Sequence, residues 1–315
     1  MVKLIVNRLF LGILTLFAVS ILIFVCTEIL PGDVASAVLG QGATPEALIV
    51  FRKELGLDVP AYLRYWNWLV GALHGNLGVA LTNKRVIVDE VLPRLGNTLF
   101  LAGYAALIAI PLAVGLGVFS AINEGKLSDQ LSNVLTLIAI SLPEFFIAYL
   151  LIILMAVNVQ WFPSLSTVFP GMPFGERVHQ STLPAITLTL LVAAHMLRMT
   201  RSSVLSVMST PYIEMAFLKG AKRQRVITRH ALPNAAAPII TVIALNLAYL
   251  VVGVVVIESV FVYPGLGQLM VDAVSKRDVP VVQACGLVFA MVFVLLNTVA
   301  DILVILVNPR LRHMR

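Results

Sequence analysis

The chain has 315 residues, of which 59% are hydrophobic and only 12% charged. Soluble domains carry about 25% charged residues, so the long apolar runs belong in lipid, which excludes a cytosolic enzyme, a secreted disulfide scaffold and a disordered tail. The net charge of +6 reads as the basic loops of a membrane protein rather than as a nucleic-acid surface, and the only cysteines, Cys26 and Cys285, form no CxxC metal or redox motif.

A membrane-crossing helix needs about 20 apolar residues. The first such run, Leu9–Thr27, is uncharged. It is longer than the about 7–15 residues of a signal-peptide core, so it reads as a span, although Ala35-Ser36-Ala37 behind it looks like a cleavage site. The loop over 31–96 follows. Thr44-Pro45-Glu46 combines an N-cap, a first-position proline and an early acid, and so starts a helix that Gly56 would stop. Tyr62, Tyr65, Trp66, Leu69, Val70 and Leu73 are spaced for one helical face. The spacing predicts an amphipathic helix packed on the extracellular end of the bundle, the alternative being direct substrate contact by its aromatics. Gly75 and Gly78 bracket a turn.

Five further runs complete six predicted spans: Thr98–Ile122, Leu131–Val157 interrupted by Glu144, Leu183–Leu197, Ala235–Ile257 and Gln283–Val307. An even number puts both termini on one side. With the N-terminus inside, the inner segments carry thirteen Lys and Arg and the short outer loops three, which places both termini in the cytoplasm. The chain divides into 1–96, a first span plus a helical insertion, and a five-helix core over 97–315.

The inner segment from Arg198 to Pro233 holds seven basic residues and one acid. Within it Pro211 suits a first helical position and Gly220 a left-handed helix end. Ile213, Ala216 and Phe217 are expected on one face of a short docking helix that fits a partner's groove.

These residues resemble a known family. Glu214-x-Ala216, Gly220, Ile227 and Leu232-Pro233 look like the EAA loop of ABC importer permeases. Arg198-x-x-Arg201-Ser202-Ser203, Lys219-Gly220, Arg229-His230-Ala231-Leu232-x-Asn234, Glu258-x-x-Phe261 and Pro264-Gly265-Leu266-Gly267 follow the dipeptide/oligopeptide/nickel branch. Asp278-x-Pro280, Asn308-Pro309-Arg310, Leu30-Pro31-Gly32-Asp33, Leu55-Gly56-Leu57-Asp58-x-Pro60 and Gly75-Asn76-Leu77-Gly78 extend the match over nearly the whole chain. Glu214-Met215, Asn308 and Asn76 depart from the branch's usual residues.

The resemblance implies an all-α membrane protein with the six-helix type I ABC importer permease fold and a helical periplasmic insertion between helices 1 and 2, in the bacterial inner membrane. The long first loop marks the B-type subunit of a heterodimer. The implied partners are a C-type permease subunit, two ABC ATPase subunits that bind ATP and Mg, a periplasmic binding protein and the lipid membrane. Coupling to the ATPases is expected from Tyr212, Glu214, Ala216, Lys219, Gly220, Arg229, Leu232 and Pro233. Peptide is the default substrate, with nickel chelates, glutathione, opines and sugars as alternatives.

A charge at mid-membrane costs about 2.5–3.5 kcal/mol. Glu144, after the helix-breaking Pro143, faces the translocation path or pairs with another subunit or with His195. His195 reads as solvated or hydrogen-bonded near the cytoplasmic boundary. Asn246 lines the path or bonds between helices. Asn297 and Asp301 fasten the last span to its neighbours, Glu28 snorkels, and Glu258 lies at the outer end of the fifth span, where the following turn resembles the family's outer gate region; Pro143, Glu144, His195, Asn246 and Glu258 are the candidate path residues. No GxxxxGK[ST], HExxH or GxSxG occurs, so neither ATP binding by a P-loop nor an intramembrane enzyme is supported, and no metal site or cofactor is expected in this chain. A secondary transporter is the competing reading; matching inverted halves, its usual signature, are not found.

Overall fold

The computed structural model describes residues 2–29, 44–54 and 58–307. The Leu30–Asp33, Ala35–Ala37, Leu55–Leu57 and Asn308–Arg310 motifs, and the expected helix stop at Gly56, lie outside these residues. Helix α1 spans Val2–Ile29, α2 Pro45–Glu54 and α3 Ala61–Leu73. Helix α4 covers Ile87–Ile122, α5 Leu127–Ser141, and α6 Glu144–Leu151, which continues as a π-helix over Ile152–Asn158. Helix α7 runs over Phe174–Met208, α8 over Pro211–Leu218, and α9 over Arg223–Val226, followed by a π-helical stretch Ile227–Ala231. Helices α10 (Leu232–Val260), α11 (Leu266–Ser275) and α12 (Val279–Val307) complete the chain.

Helices α1, α4, α7, α10 and α12 are long and apolar enough to cross a membrane, and α5 with α6, bent by 104° at their junction, is so only when taken as one pair. The predicted third span is therefore a broken pair rather than one interrupted helix. Pro143 has no N–H to donate and forces the residue before it out of the helical region. Leu142 accordingly sits at ψ 137 and Pro143 at ψ 142. The predicted Leu183–Leu197 run is only the middle of the 35-residue α7. This helix is the most buried of the five. Its buried Ser181, Thr187, Thr189 and Thr200 explain why only a short stretch of it looks apolar.

Helix α4 packs along α7 through a stripe of buried alanines: Ala102, Ala105, Ala106, Ala109 and Ala113. Small residues let two backbones approach closely where lipid supplies no hydrophobic drive for association. Thr189 Oγ1 donates across this contact to the Ala105 carbonyl at 3.2 Å. Helix α1 sits outside the core against α12. Arg8 pairs with Asp301 at 2.9 Å and Gln283 donates to Thr27 Oγ1 at 2.8 Å. Asp301 thus fastens the last span as expected, whereas Asn297 donates to its own helix at Phe293 O.

In the insertion, Ala47 N donates to Thr44 Oγ1 at 3.3 Å, the N-cap read from the sequence. Gly75 and Gly78, at φ 80 and 87, form the turn they were expected to bracket. Helix α3 departs from expectation. It packs on Phe24 through Tyr65 and Trp68, with ring centroids at 5.4 and 6.2 Å, and Tyr65 Oη bonds Ser20 Oγ at 2.9 Å. Tyr62, Trp66, Val70 and Leu73 stay exposed. Periodicity identified a helix with apolar faces but not which face meets protein. Glu28 does not snorkel alone; it pairs with Arg64 on α3.

At the end of the bundle that carries the basic segment, Asp129 gathers the turn between α4 and α5 onto α7. Arg201 grips it bidentately at 2.7 and 2.8 Å, Gly125 N donates at 3.0 Å, and Ser120 Oγ and Asn133 Nδ2 also donate. Removing one partner of such a buried pair costs about 3–5 kcal/mol, because the other charge is left uncompensated. Asp129→Ala and Arg201→Met should each lower the unfolding temperature of the detergent-solubilised protein by several degrees. Asp129→Ala/Arg201→Met should lose clearly less than the sum of the single losses, which a double-mutant cycle of thermal unfolding measures.

Candidate functional site

The break between α5 and α6 opens onto a cavity of about 100 Å³. Its walls come from the end of α5 (Ala139, Ile140), from α6 (Glu144), from the middle of α7 (Leu188, Leu191, Val192, His195) and from the middle of α10 (Asn246, Tyr249, Leu250, Gly253). Three of the five predicted path residues, Glu144, His195 and Asn246, therefore share one cavity although they stand on three helices. Pro143 does not line it; as the N-cap of α6 it fixes Glu144 at the first helical position, where unsatisfied backbone N–H groups favour a carboxylate. Non-helical backbone at membrane depth is tolerated only where protein buries it or a watered cavity receives it, and Leu142-Pro143 satisfies that condition.

Glu144 is half-buried. Among the described residues no hydrogen bond or ion pair joins it to His195. Asn246 donates to Val242 O on its own helix at 2.8 Å, not to a neighbouring helix. Tyr249, which the sequence reading missed, adds a phenol to the wall; it lies one position short of a full turn beyond Asn246. A second cavity, between α5 and α7 towards the basic segment, is lined by Asn133, Thr136, Arg198, Arg201 and Ser202. Positions 188, 191, 195, 198 and 202 recur at three and four residues, so they share one face of α7. Arg201 is taken by Asp129, while Arg198 stays exposed.

Glu258 is not in this cavity. It is fully buried at the end of α10 and acts as a latch on the chain that follows. Thr98 Oγ1 donates to its Oε1 at 2.6 Å, and the backbone N–H groups of Gly267 and Gln268 donate to Oε2 at 2.7 and 3.2 Å. Thr98 Oγ1 in turn accepts from Leu266 N at 2.8 Å. Glu258 thus caps the start of α11 and ties it to α4. The Pro264-Gly265-Leu266-Gly267 motif follows from this geometry. A Cβ on Gly265 would lie 2.0 Å from the Glu258 carboxylate, and one on Gly267 would lie 2.7 Å from Val255 Cα.

The basic segment folds into the expected short helix. Pro211 is its first residue, and its C-terminus closes in a Schellman motif: Gly220 N donates to Phe217 O at 2.8 Å and Ala221 N to Ala216 O at 3.2 Å. Gly220 takes φ 82, a conformation that costs a side-chain-bearing residue about 1 kcal/mol or more. Ile213 is fully buried against Val226 and Ala231, with Ala216 beside them. Phe217 does not join that face; it is exposed together with Tyr212, Met215 and Leu218. Glu214, Lys219, Gly220, Arg229 and Pro233 are exposed, and Leu232 is half-buried. The expected coupling residues therefore surround a knob with an apolar tip and a basic rim.

An all-helical bundle with one broken crossing and a surface helix between two long spans is the architecture of type I ABC importer permeases. Comparison with known proteins agrees. Residues 113–313 match the family described as binding-protein-dependent transport system inner membrane component, and residues 1–102 match its N-terminal membrane component. The chain is 35% identical over 313 residues to the glutathione transport system permease protein GsiC of Escherichia coli O6:H1, covering 99% of this chain and 100% of that one. The same protein of Shigella flexneri serotype 5b is 34% identical over the same length. A chain of the MetNI methionine ABC transporter in an inward-facing form shares the fold with a TM-score of 0.55 and 17% identity, over 70% of this chain and 98% of that one. The chain belongs to the binding-protein-dependent transport system inner membrane family and is a permease subunit of an ABC importer. The reading as an ATPase-independent transporter is thereby set aside.

The latch can be tested by steric contrast. Gly267→Ala should destabilise the protein by about 1–3 kcal/mol, the range for overpacking against fixed backbone. Gly103→Ala, whose Cβ meets nothing within 4 Å, should be neutral or stabilising by up to about 1 kcal/mol. Thermal unfolding of the two variants side by side gives the comparison.

Proposed function

We propose that this permease forms half of a path for short peptides, delivered by a periplasmic binding protein and driven by two separate ATPase subunits that bind ATP and Mg. One observation carries the substrate class: Glu144 sits at a helix break inside the cavity, with no cationic partner among the described residues. An intramembrane carboxylate in that position suits a cationic group passing through, and a peptide's free amine supplies one. His195, Asn246 and Tyr249 add polar contacts around it, and Arg198, in the second cavity between α5 and α7, offers a cation for the carboxylate end. The similarity to glutathione permeases favours a second reading within this class, since glutathione is itself a tripeptide with a free amine and carboxylates.

Coupling runs through α8. Its exposed Tyr212, Met215, Phe217 and Leu218 fill an apolar groove on an ATPase subunit, while Glu214, Lys219 and Arg229 set the rim charges. Leu232 and Pro233 start α10 and so connect the knob to the cavity wall. The excess of Lys and Arg on this side supports a cytoplasmic position for it and for both termini, in a bacterial inner-membrane protein. A C-type permease subunit completes the path.

Two measurements on the complete reconstituted complex test these assignments. Glu144→Gln should slow uptake of a free-amine tripeptide about tenfold, as expected for loss of a charge-assisted hydrogen bond worth about 1.5–3 kcal/mol, and should leave its N-acetylated form unaffected. Equal effects on both peptides would refute the amine assignment. Glu214→Arg and Gly220→Pro should abolish ATP-driven uptake while membrane insertion and binding-protein docking persist. Normal uptake by either would remove α8 from the coupling role.

A further inference from the structure

The insertion between α1 and α4 contains a helix whose largest apolar face is exposed. Helix α3 has no buried residue. At about 100° per residue, its surface divides into three arcs. Tyr65 and Trp68, with Ala61 and Ala72, occupy the arc against α1. Arg64, Asn67 and Gly71 occupy a second, polar arc. Tyr62, Leu63, Trp66, Val70 and Leu73 occupy the third, and all five are exposed, Leu73 by 78% and Tyr62 by 66%, while the half-buried Leu69 stands between this arc and the one against α1.

The depth of this helix is set by its contacts. The Arg64–Glu28 ion pair marks the level where the apolar run of α1 ends. Phe24, which receives Tyr65 and Trp68, lies about 6 Å further in along α1, and Ser20, which bonds Tyr65, about 12 Å further in, at 1.5 Å per residue. Helix α3 therefore lies beside the membrane-crossing part of α1, not beyond its end. The segment of α1 it leaves uncovered is itself apolar and exposed at Ile21, Leu22 and Val25, and only 11% of that span's most apolar window is buried. The exposed arc of α3 continues this exposed apolar surface.

We propose that α3 is an interfacial membrane helix, with Tyr62, Trp66, Val70 and Leu73 immersed in phospholipid at the membrane surface opposite the basic segment, and Asn67 and Arg64 turned towards the headgroups and water. Aromatic residues belong at that level because their rings are apolar and their polar atoms reach water, and an apolar arc set against a polar one is what holds a helix in the interface plane. A water-soluble partner would meet a surface lying outside the hydrocarbon; this one lies alongside it. Lipid contact pins the insertion to the membrane and holds α1, which touches the core through α12, from its other side.

The proposal is tested on the complete complex in phosphatidylethanolamine–phosphatidylglycerol vesicles. Spin labels are placed at Trp66→Cys, Val70→Cys, Leu73→Cys and Asn67→Cys in a Cys26→Ser background, with the signal of the complex lacking an introduced cysteine subtracted. Accessibility to oxygen, which partitions into lipid, should exceed accessibility to a water-soluble nickel chelate several-fold at 66, 70 and 73, and the order should reverse at 67. Preferential access by the nickel chelate at 66 and 70 would overturn the proposal in favour of a water-facing surface. Low access by both reagents there would overturn it in favour of a protein partner.

Discussion

Inside hydrocarbon no water satisfies a backbone N–H, a carbonyl or a charge, so each must find its partner in the protein. The sparse charges of this chain are placed under that rule. Asp129 is enclosed by Arg201, Ser120, Asn133 and a backbone N–H; Asp301 is met by Arg8; Glu258 is enclosed by Thr98 and two backbone N–H groups. Each of these carboxylates joins elements that are far apart in sequence, and together they hold the two ends of the bundle. Glu144 breaks the rule among the described residues, and it does so at the one place where a crossing helix is itself broken. A carboxylate without a protein partner there either takes up a proton or is met by water or a substrate.

The elements differ in stiffness in a way that follows from the same rule. Helices α4, α7, α10 and α12 run unbroken through the core, their Pro111, Pro184 and Pro238 absorbed within continuous helix. The α5–α6 pair loses its backbone ladder at Leu142-Pro143, and the π-helix over Ile152–Asn158 loosens its far end again. The cavity is thus walled on two sides by continuous helices and on the third by a pair whose backbone ladder is interrupted.

What could be read from the sequence was local. Thr44-Pro45-Glu46 announces a helix start because the cap and the helix it caps are adjacent in the chain. Gly220 announces a helix end because the left-handed conformation there is a property of one residue. The apolar runs announce spans because length and composition suffice for them. Distant partners were not legible. Nothing near Asp129 names Arg201, and nothing near Glu258 names Thr98, 160 residues away; the latch that Glu258 forms between α11 and α4 depends on that distant partner. The face of α3 failed for a related reason, since Tyr65 and Trp68 differ from Tyr62 and Trp66 only in which side α1 approaches. Glu144, His195 and Asn246 were each legible as polar exceptions in apolar runs, but their meeting in one cavity depends on the 104° bend, and a proline predicts that a helix breaks without predicting where its second half goes.

The position of α8 gives the proposed coupling its mechanical sense. The helix is held by Ile213 in a small cluster with Val226 and Ala231, and by Val207 and Met208 at the end of α7. A displacement of α8 is therefore delivered to the last turn of α7 and, through the stretch leading into Leu232 and Pro233, to the first turn of α10. Those two helices carry His195 and Asn246. Glu144 hangs from the bent pair, whose own anchor to α7 is the Asp129–Arg201 pair near the same end. Moving α7 and α10 against a hinge at Leu142-Pro143 changes the spacing of Glu144 from the other two residues, whereas moving the bundle as one body does not. A substrate amine that bridges them favours one spacing over the other by its difference in affinity for the two. In the proposed mechanism the charge that the membrane makes costly is then also the group through which the state of the cavity and the position of α8 become linked.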